Sequence, residues 1–573
     1  MLFYLAALAA LAQPAVQATA PADKAMVAAN AAWGQGKHSK ALELARPLAE
    51  GGNGEALHLL ARAYELGAGV AADPAEAARL YRRAADAGHV PAFAFLGVLF
   101  ETGSGVAKDL DRANALYLEG SEKGDAAATY YLATNYLFEI GIAGKLEEGV
   151  RLARPLAEEG HGGAMQLLGI AYDQGDGVEP DPVQAISWFR RCADLGEGHC
   201  LRSLGIMYEN GRGVPRDLKA ALSWYLKAAA KDVPEAFGDV GMAYHFGYGT
   251  KVDYQEAMRW YRKAADRGLP AGYAGLGDLY RSGLGVAKRP DEAFRWYQKA
   301  ASGDHKGALV SMASMLEEGE GVPADPKRAV DLLRQAAEAG DSEGMFGLGE
   351  AYRRGVGVEK DWATALGWLT RAADAGSTGA MNQLGYAFEV GDGPFQQDQV
   401  QALTWYRRAA ELDDPTAVAN LGLMYRNGRG TKADFAEAFR LFGRASALGD
   451  TRGRLLLALA YAGGEGVAKD AKRGFDMVRK LADAGDAESI GSLGLMYENG
   501  TGVGKNEREA ARLYRKAADL GDAVAMRYLG GSYADGIGVK RDLDQAEAWL
   551  KKAQAAGDTE AEALLGKVLA LKE

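Results

Sequence analysis

The sequence predicts an all-α fold, a right-handed superhelical α/α solenoid of about fifteen helix-loop-helix repeats with a C-terminal capping helix. Two observations predict it. A Leu-Gly pair recurs throughout the chain with a nearly constant spacing, and each interval contains signals for a helix, a glycine loop and a second helix. Because a single core rarely grows past about 250–300 residues, a chain of 573 residues needs several domains or a repeat array.

The spacing of the Leu-Gly pair is 36 residues at every step except one of 37, between Leu384 and Leu421. The residue after the Leu-like position is Gly in eleven of fifteen units and Ala in the other four. The Leu-like position recurs at Leu60, Leu96, Leu132, Leu168, Leu204, Val240, Leu276, Met312, Leu348, Leu384, Leu421, Leu457, Leu493, Leu529 and Leu565. A period of about 20–50 residues held over this length indicates stacked repeats.

The stretch Leu204–Ala229 is a typical unit. Tyr208 lies four residues after the Leu and therefore on the same helix face. Gly211 is predicted to end the first helix in the left-handed conformation, and Val214 to hold the loop against the core. Asp217 is predicted to cap the second helix, because Asp accepts hydrogen bonds from the first free amides of a helix. Hairpins of this kind are predicted from about Asp23 to Gly557, with a closing helix near Thr559–Leu571.

Seven of the nine tryptophans occupy one position of the second helix, seven residues after the cap. They are Trp188, Trp224, Trp260, Trp296, Trp368, Trp405 and Trp549. Such regularity indicates packing between hairpins rather than a platform for a cofactor or a sugar. Paired arginines such as Arg190-Arg191 and Arg407-Arg408 are interpreted as a solvated helix face.

The composition argues against two classes of partner. The formal net charge is −11 with a pI near 5.4, which argues against nucleic acid and against an anionic membrane surface. After the leader, no segment is long and apolar enough to cross a bilayer, so the mature chain is predicted to have no transmembrane segment. No cofactor is expected, because the sequence contains no H-E-x-x-H, P-loop or S-x-x-K motif.

The first 18 residues contain no charged side chain, and Leu2–Ala12 is an apolar run too short to span a membrane. Val16-Gln17-Ala18 fits the small-x-small pattern of a cleavage site. The sequence therefore predicts a signal peptide over Met1–Ala18 and a periplasmic or secreted protein. The alternative is a buried leader helix that caps the array, since no Lys or Arg precedes the apolar run.

The repeat resembles the Sel-1-like repeat, a relative of the tetratricopeptide repeat. The shared pattern is A-x-x-x-L-G-x-x-Y-x-x-G-x-G-V-x-x-D-x-x-x-A-x-x-W-Y-x-K-A-A, and Glu235–Ala265 matches it with only Val in place of Leu. The resemblance covers roughly Asn53 to the C-terminus and implies a protein–protein interaction scaffold. Members of the family act as adaptors in envelope assembly and signalling, or as exported binders of host proteins.

Two stretches, residues 36–52 and 144–160, depart from the pattern and resemble each other. Both lack Gly-x-Gly-Val and Trp-Tyr and look more like plain tetratricopeptide second helices. The chain is therefore predicted to be one continuous solenoid built from two blocks, residues 23–144 and 145–573, with a joint near Gly141–Lys145.

The only two cysteines, Cys192 and Cys200, lie at the end of a second helix and the start of the next first helix. This C-x7-C placement resembles exported cysteine-rich members of the family, in which such a pair bridges successive helices. The resemblance implies a disulfide, which an oxidising compartment would permit. A pair of buried thiols is the alternative. A metal site beside His199 is disfavoured, because a fourth ligand at characteristic spacing is lacking.

Binding residues are expected where units break the repeat pattern, since the pattern itself is explained by packing. Two aromatic clusters meet this condition and are natural anchors for a partner. They contain Tyr130, Tyr131, Asn135 and Phe138 in one unit and Phe237, His245, Phe246 and Tyr248 in the other. The alternative is that half of them are core residues of degenerate repeats.

Three functions follow from the sequence, in decreasing order of support. The first is a non-enzymatic scaffold or adaptor of the bacterial envelope. The second is a secreted or surface-exposed effector that binds a host protein. The third is a weak hydrolase, which the missing catalytic motifs disfavour.

Overall fold

A computed structural model of the chain describes residues 21–572, and every regular element in that range is an α-helix. These 31 helices confirm the all-α prediction and the α/α repeat arrangement. The predicted signal peptide Met1–Ala18 lies outside the described residues. The chain divides after Arg289 into two compact units, here called unit 1 and unit 2.

From Pro21 onward, unit 1 contains fifteen helices, most of them 13 residues long, and each packs against the next. They are α1 (Pro21–Gly34), α2 (His38–Glu50), α3 (Gly54–Leu66), α4 (Pro74–Asp86), α5 (Ala92–Thr102), α6 (Leu110–Glu122), α7 (Ala126–Leu137), α8 (Leu146–Glu158), α9 (Gly162–Gln174), α10 (Pro182–Asp194), α11 (Gly198–Asn210), α12 (Leu218–Ala230), α13 (Pro234–Phe246), α14 (Tyr254–Asp266) and α15 (Pro270–Ser282). From α3 onward, odd-numbered helices contain the Leu-Gly pair and are the first helices of the repeats.

Unit 2 repeats the same alternation and ends with the predicted capping helix. Its helices are α16 (Pro290–Ser302), α17 (Lys306–Glu318), α18 (Pro326–Glu338), α19 (Ser342–Arg354), α20 (Trp362–Asp374), α21 (Thr378–Val390), α22 (Gln399–Glu411), α23 (Pro415–Asn427), α24 (Phe435–Ala447), α25 (Thr451–Gly463), α26 (Ala471–Asp483), α27 (Ala487–Asn499), α28 (Glu507–Asp519), α29 (Ala523–Asp535), α30 (Leu543–Ala555) and α31 (Ala561–Ala570). The last helix packs on α30 through Leu565 and Val568, which are buried.

The helix ends form as the local sequence predicts. Gly211 closes α11 with φ of 67°, and its amide donates to the carbonyl oxygen of Met207. The Asp217 carboxylate accepts from the amides of Lys219 and Ala220 and so begins α12. The same type of bond is made at the equivalent position of second helices by Asn506 and by ten Asp residues, which are Asp73, Asp109, Asp181, Asp217, Asp253, Asp325, Asp361, Asp434, Asp470 and Asp542. These bonds satisfy amides that the helix itself leaves free.

The small residue after the Leu allows a close approach within each hairpin. A Cβ added to Gly205 would lie 2.4 Å from Cε1 of Tyr225 on the paired helix. Tyr225 is buried there, so the ring occupies the space that a side chain at position 205 would need. The Gly of the Leu-Gly pair therefore leaves room for an aromatic side chain of the second helix to pack onto the first helix.

The single 37-residue step is absorbed in a loop. It falls between α21 and α22, where Phe395 packs on Phe388 with ring centroids 4.3 Å apart. Asp398 then caps α22 by accepting from the amides of Val400 and Gln401. Because the extra residue stays in the loop, the helices on either side keep their usual length.

The predicted joint near Gly141–Lys145 lies between α7 and α8. Leu137 at the end of α7 and Val150 in α8 belong to the same buried cluster, which continues as far as Ala264. The hydrophobic core is thus continuous through this part of unit 1. The division into blocks 23–144 and 145–573 stays a prediction.

Candidate protein-interaction surfaces

Several first helices have an acidic residue five positions after the Leu. Most of these acidic side chains accept a hydrogen bond from within their own hairpin. The hydroxyl of a tyrosine on the paired second helix donates a hydrogen bond to the carboxylate. These pairs are Tyr81–Glu65 at 2.6 Å, Tyr117–Glu101 at 2.8 Å, Tyr225–Glu209 at 2.5 Å, Tyr406–Glu389 at 2.9 Å and Tyr514–Glu498. In these five hairpins the bond therefore links the first helix to the second.

In α13 a histidine replaces this acid, and the consequence is an aromatic patch formed by His245, Phe246 and Tyr248. His245 Nδ1 lies 3.3 Å from the Tyr261 hydroxyl, and burial lowers the pKa of the imidazole, with Asp278 opposing. The buried His245 ring stacks on Phe246 at 4.2 Å, and Phe246 stacks on Tyr248 at 5.6 Å. Phe246 is 52% and Tyr248 37% exposed, so two rings of the patch face solvent.

The structure separates the eight predicted binding residues into two groups. Tyr131, Asn135, Phe237 and His245 are buried, and Tyr130 is half-buried against His161. Phe138, Phe246 and Tyr248 are exposed. The two clusters lie on helices α7 and α13 and are not brought together. The three exposed side chains are therefore the ones that can contact a partner directly.

Asn135 has an internal role that the sequence did not reveal. Its Nδ2 donates to Asn114 Oδ1 at 2.9 Å, and Asn114 Nδ2 donates to the Ile140 carbonyl at 3.0 Å. This chain of bonds ties α7 and the loop after it to α6. A buried amide that is paired in this way stabilises the fold, because leaving it unpaired would cost free energy.

Sequence reasoning missed an apolar row on the first helices of unit 1, two positions after the Leu. Ile170 in α9, Ile206 in α11 and Met242 in α13 occupy it, and all three are half-buried. Phe246 lies four residues after Met242 and so on the same face of α13. A comparison of this single repeat position between units could have found the row.

Basic residues link neighbouring repeats rather than only facing water. Arg154, Arg190 and Arg407 donate to the hydroxyls of Tyr172, Tyr208 and Tyr425 of the next first helix, at 2.8, 2.8 and 3.1 Å. The seven regular tryptophans each have a Lys or Arg over the ring, 3.8–4.5 Å from its centroid. Trp188 and Trp549 are buried, and the other five are half-buried, which suits their predicted packing role.

Cys192 at the end of α10 and Cys200 in α11 are both fully buried. Their sulfur atoms lie at disulfide distance, 1.96 Å, with the Cα atoms 5.9 Å apart. A bridge here would connect the second helix of one repeat to the first helix of the next. Its formation in the cell stays a prediction.

Two features are absent from residues 21–572, a metal-binding cluster and a membrane-spanning helix. No group of three or more His, Cys, Asp or Glu side chains is arranged to hold a metal ion. None of the helices in this range combines the length and apolar character that a membrane crossing requires.

Fourteen segments between residues 54 and 558 match the model of the Sel1 repeat. The chain belongs to the Sel1 repeat family. The segments are 54–89, 92–125, 126–161, 163–197, 199–233, 239–269, 270–305, 307–341, 342–377, 378–414, 415–450, 452–486, 487–522 and 523–558. The divergent stretch 144–160 falls inside a Sel1 repeat, whereas residues 36–52 precede the first. Sel1 repeat proteins are generally non-catalytic interaction scaffolds, so the repeats suggest a protein partner.

Solved structures of Sel1 repeat proteins are similar to this chain. One is c5321, a protective antigen present in uropathogenic Escherichia coli strains displaying an SLR fold, at 32% identity over 74% of this chain and 91% of that chain, with a TM-score of 0.41. Another is a Sel1 repeat protein from Oxalobacter formigenes, at 30% identity over 43% of this chain and 96% of that chain, with a TM-score of 0.39. No curated protein sequence matches the chain.

Proposed function

We propose that this Sel1 repeat protein is a non-enzymatic adaptor of the bacterial envelope, exported to the periplasm, that binds another protein through unit 1. The observation that supports the proposal is the aromatic patch together with the apolar row beside it. Ile170, Ile206, Met242 and Phe246 form one apolar line across α9, α11 and α13, and Tyr248 extends it into the following loop.

The patch has the properties of a binding anchor. Phe246 is held between the His245 and Tyr248 rings, and His245 is itself fixed by the Tyr261 hydroxyl. A ring positioned in this way loses little conformational freedom when a partner covers it, so most of the free energy of burial is available for binding. Aromatic side chains of this kind dominate the energetics of protein interfaces.

Export is supported by the apolar leader Met1–Ala18 and by the cysteine pair at disulfide distance. Disulfides persist in the periplasm and outside the cell, where thiols are not kept reduced. The competing proposal is a secreted or surface-exposed effector that binds a host protein. Fractionation separates the two, because an adaptor is retained in the periplasm and an effector is released or displayed on the cell surface.

Photocrosslinking in cells tests the binding surface. A photoreactive phenylalanine analogue is placed at Phe246, and the matched control is the same analogue at Asn499. Both residues end a first helix and precede a left-handed Gly, but Asn499 lies in unit 2, outside both the patch and the apolar row. We expect a discrete crosslinked partner from position 246 that disappears when Tyr248→Ala is added.

Two results would refute this surface. Equal crosslinking from positions 246 and 499 would show that the patch has no special role. A partner whose capture is unaffected by Tyr248→Ala and Met242→Ala would place the binding surface elsewhere on the chain.

A further inference from the structure

Unit 2 contains a cavity of about 540 Å³ formed by α21, α23 and the first turn of α25. Four side-chain amides line it: Asn382, Gln383, Asn420 and Asn427. We call this cavity the amide groove. Tyr386 and Leu423, two positions after the Leu of their helices, and the half-exposed Val390 supply its apolar surface.

Three of the amides occupy the two positions before the Leu of their helices. Asn382 and Gln383 directly precede Leu384, and Asn420 directly precedes Leu421. In the neighbouring α25 the two residues before the Leu are Leu455 and Leu456, which are buried in the core. In other units charged residues at these positions are paired within the chain, as Arg202 is with Asp239 and Arg527 is with Asp558. Gln383 and Asn420 have no such partner among residues 21–572.

Most of the donors and acceptors of the amides in the groove are not paired with other groups of the protein. Gln383, Asn420 and Asn427 make no side-chain hydrogen bond to any described residue. Asn382 Nδ2 donates to Asp414 Oδ1 at 2.9 Å, but Asn382 Oδ1 is buried and has no hydrogen-bond partner among residues 21–572. A buried acceptor without a donor is costly, so this oxygen is suited to a donor supplied by a ligand.

The groove also contains one uncompensated positive charge. Arg429 is paired with Glu389 at 2.8 Å, and Glu389 accepts a further bond from Tyr406. Arg452 is exposed at the groove and forms neither a hydrogen bond nor an ion pair within the described part of the chain. It acts electrostatically on Glu488 of α27, lowering the pKa of that carboxyl against the effect of burial, but makes no ion pair with it.

We propose that the amide groove binds an extended segment of a partner protein that contains an acidic side chain. Side-chain amides both donate and accept, so they match the N–H and C=O groups that an extended backbone leaves free. Arg452 is placed to bind the carboxylate, since a guanidinium matches carboxylate geometry through two parallel hydrogen bonds. The proposal rests on the scaffold function above and adds a second surface with defined ligand chemistry.

Charge complementarity favours an acidic peptide over the other possible occupants. Of the two arginines that line the groove, Arg429 is neutralised by Glu389, whereas Arg452 has no ion-pair partner among residues 21–572 and is free to take an acidic side chain. A nucleic acid would need a much larger basic surface than this single arginine offers. An uncharged apolar segment would leave the amides and Arg452 without partners.

The test uses a randomised decapeptide library displayed on phage and selected on the full-length protein. Enriched peptides are synthesised with blocked ends, and their dissociation constants are measured by fluorescence anisotropy. We expect an Asp or Glu at one fixed position of the enriched sequences. Arg452→Ala should weaken binding by about tenfold or more, the usual effect of removing one partner of a charge-assisted hydrogen bond.

Matched controls separate the groove from general effects of charge and sequence. Arg508→Ala removes an exposed arginine of unit 2 outside the groove and should leave affinity unchanged. Asn427→Ala should weaken binding, whereas Asn499→Ala, the same repeat position in α27, should not. Replacing the peptide's acidic residue by its amide should cost affinity for the wild type but not for Arg452→Ala.

Specific results would overturn the proposal. It fails if no sequence is enriched, or if enriched peptides bind Arg452→Ala and Asn427→Ala as tightly as the wild type. It also fails if sedimentation shows a dimer of this protein that Arg452→Ala dissociates, because the occupant would then be a second copy. Peptides that lose affinity on Phe246→Ala alone would refute the groove and leave the scaffold function of unit 1 standing.

Discussion

Gly213→Ala is the substitution whose cost can be worked out most directly from the structure. Gly213 has φ of 69°, and an added Cβ would lie 2.3 Å from the carbonyl oxygen of Pro182 in the preceding repeat. Gly268 has a similar φ of 78°, but no atom lies within 4 Å of its added Cβ. The two positions therefore share the backbone strain and differ in the steric contact.

The expected magnitudes differ accordingly. The left-handed conformation costs a residue with a Cβ about 1–2 kcal/mol at either position. At Gly213 the contact with a backbone atom adds about 1–3 kcal/mol, since the carbonyl of α10 cannot rotate away as a side chain could. We expect Gly213→Ala to lower the free energy of unfolding by about 2–5 kcal/mol and Gly268→Ala by about 1–2 kcal/mol.

Hydrogen exchange resolved along the chain is the suitable assay, because a long repeat array need not unfold in one step. Gly213→Ala should speed exchange of amides in α10 to α12, whereas Gly268→Ala should affect α14 and α15 more weakly. If the two variants lose the same protection, the close approach between successive repeats at Gly213 is wrong.

Three further predictions concern buried groups. Tyr117→Phe removes the hydroxyl that donates to the buried Glu101 and should destabilise unit 1 by about 1–3 kcal/mol; unchanged melting would contradict this bond. Burial, with the nearby His89 and Arg62, holds the pKa of His58 well below 6.5, so the unfolded chain binds the proton more readily. Stability of the N-terminal helices should therefore fall as the pH drops below about 6.5, and His58→Gln should flatten this dependence; an equally steep profile in the variant would assign it to other groups. Purified exported protein should gain the mass of two hydrogens on reduction, and the Cys192–Cys200 bridge should contribute about 2.6 kcal/mol through its nine-residue loop; two free thiols in that material would exclude the bridge.

The repeat architecture was predictable because its signals are local. A cap such as Asp217 acts on amides two and three residues away, and Gly211 closes a helix through a bond to Met207. Both interactions are fully specified by neighbours in the sequence, and the period then repeats them along the chain. For the same reason, the ends of the hairpins could be predicted from the sequence without knowing which helices contact each other.

The binding surfaces were only partly predictable, because exposure depends on residues distant in sequence. Phe237 and Phe246 belong to one predicted cluster, yet Phe237 is buried near Trp260 and Phe246 is 52% exposed. The apolar row and the amide groove contain single residues from successive helices, so neither forms a motif that can be read along one stretch.

The sequence by itself determined the hairpin, its caps, its loop and its family, since each depends on contacts within one repeat of 36 residues. Only the tertiary structure decided which departures from the pattern are packed and which face solvent. The physical reason is that a side chain becomes buried when the neighbouring repeat covers it, and that neighbour lies a full period away. Arg452 illustrates this: its sequence context is unremarkable, and its lack of an acidic partner is visible only once α21, α23 and α25 are side by side.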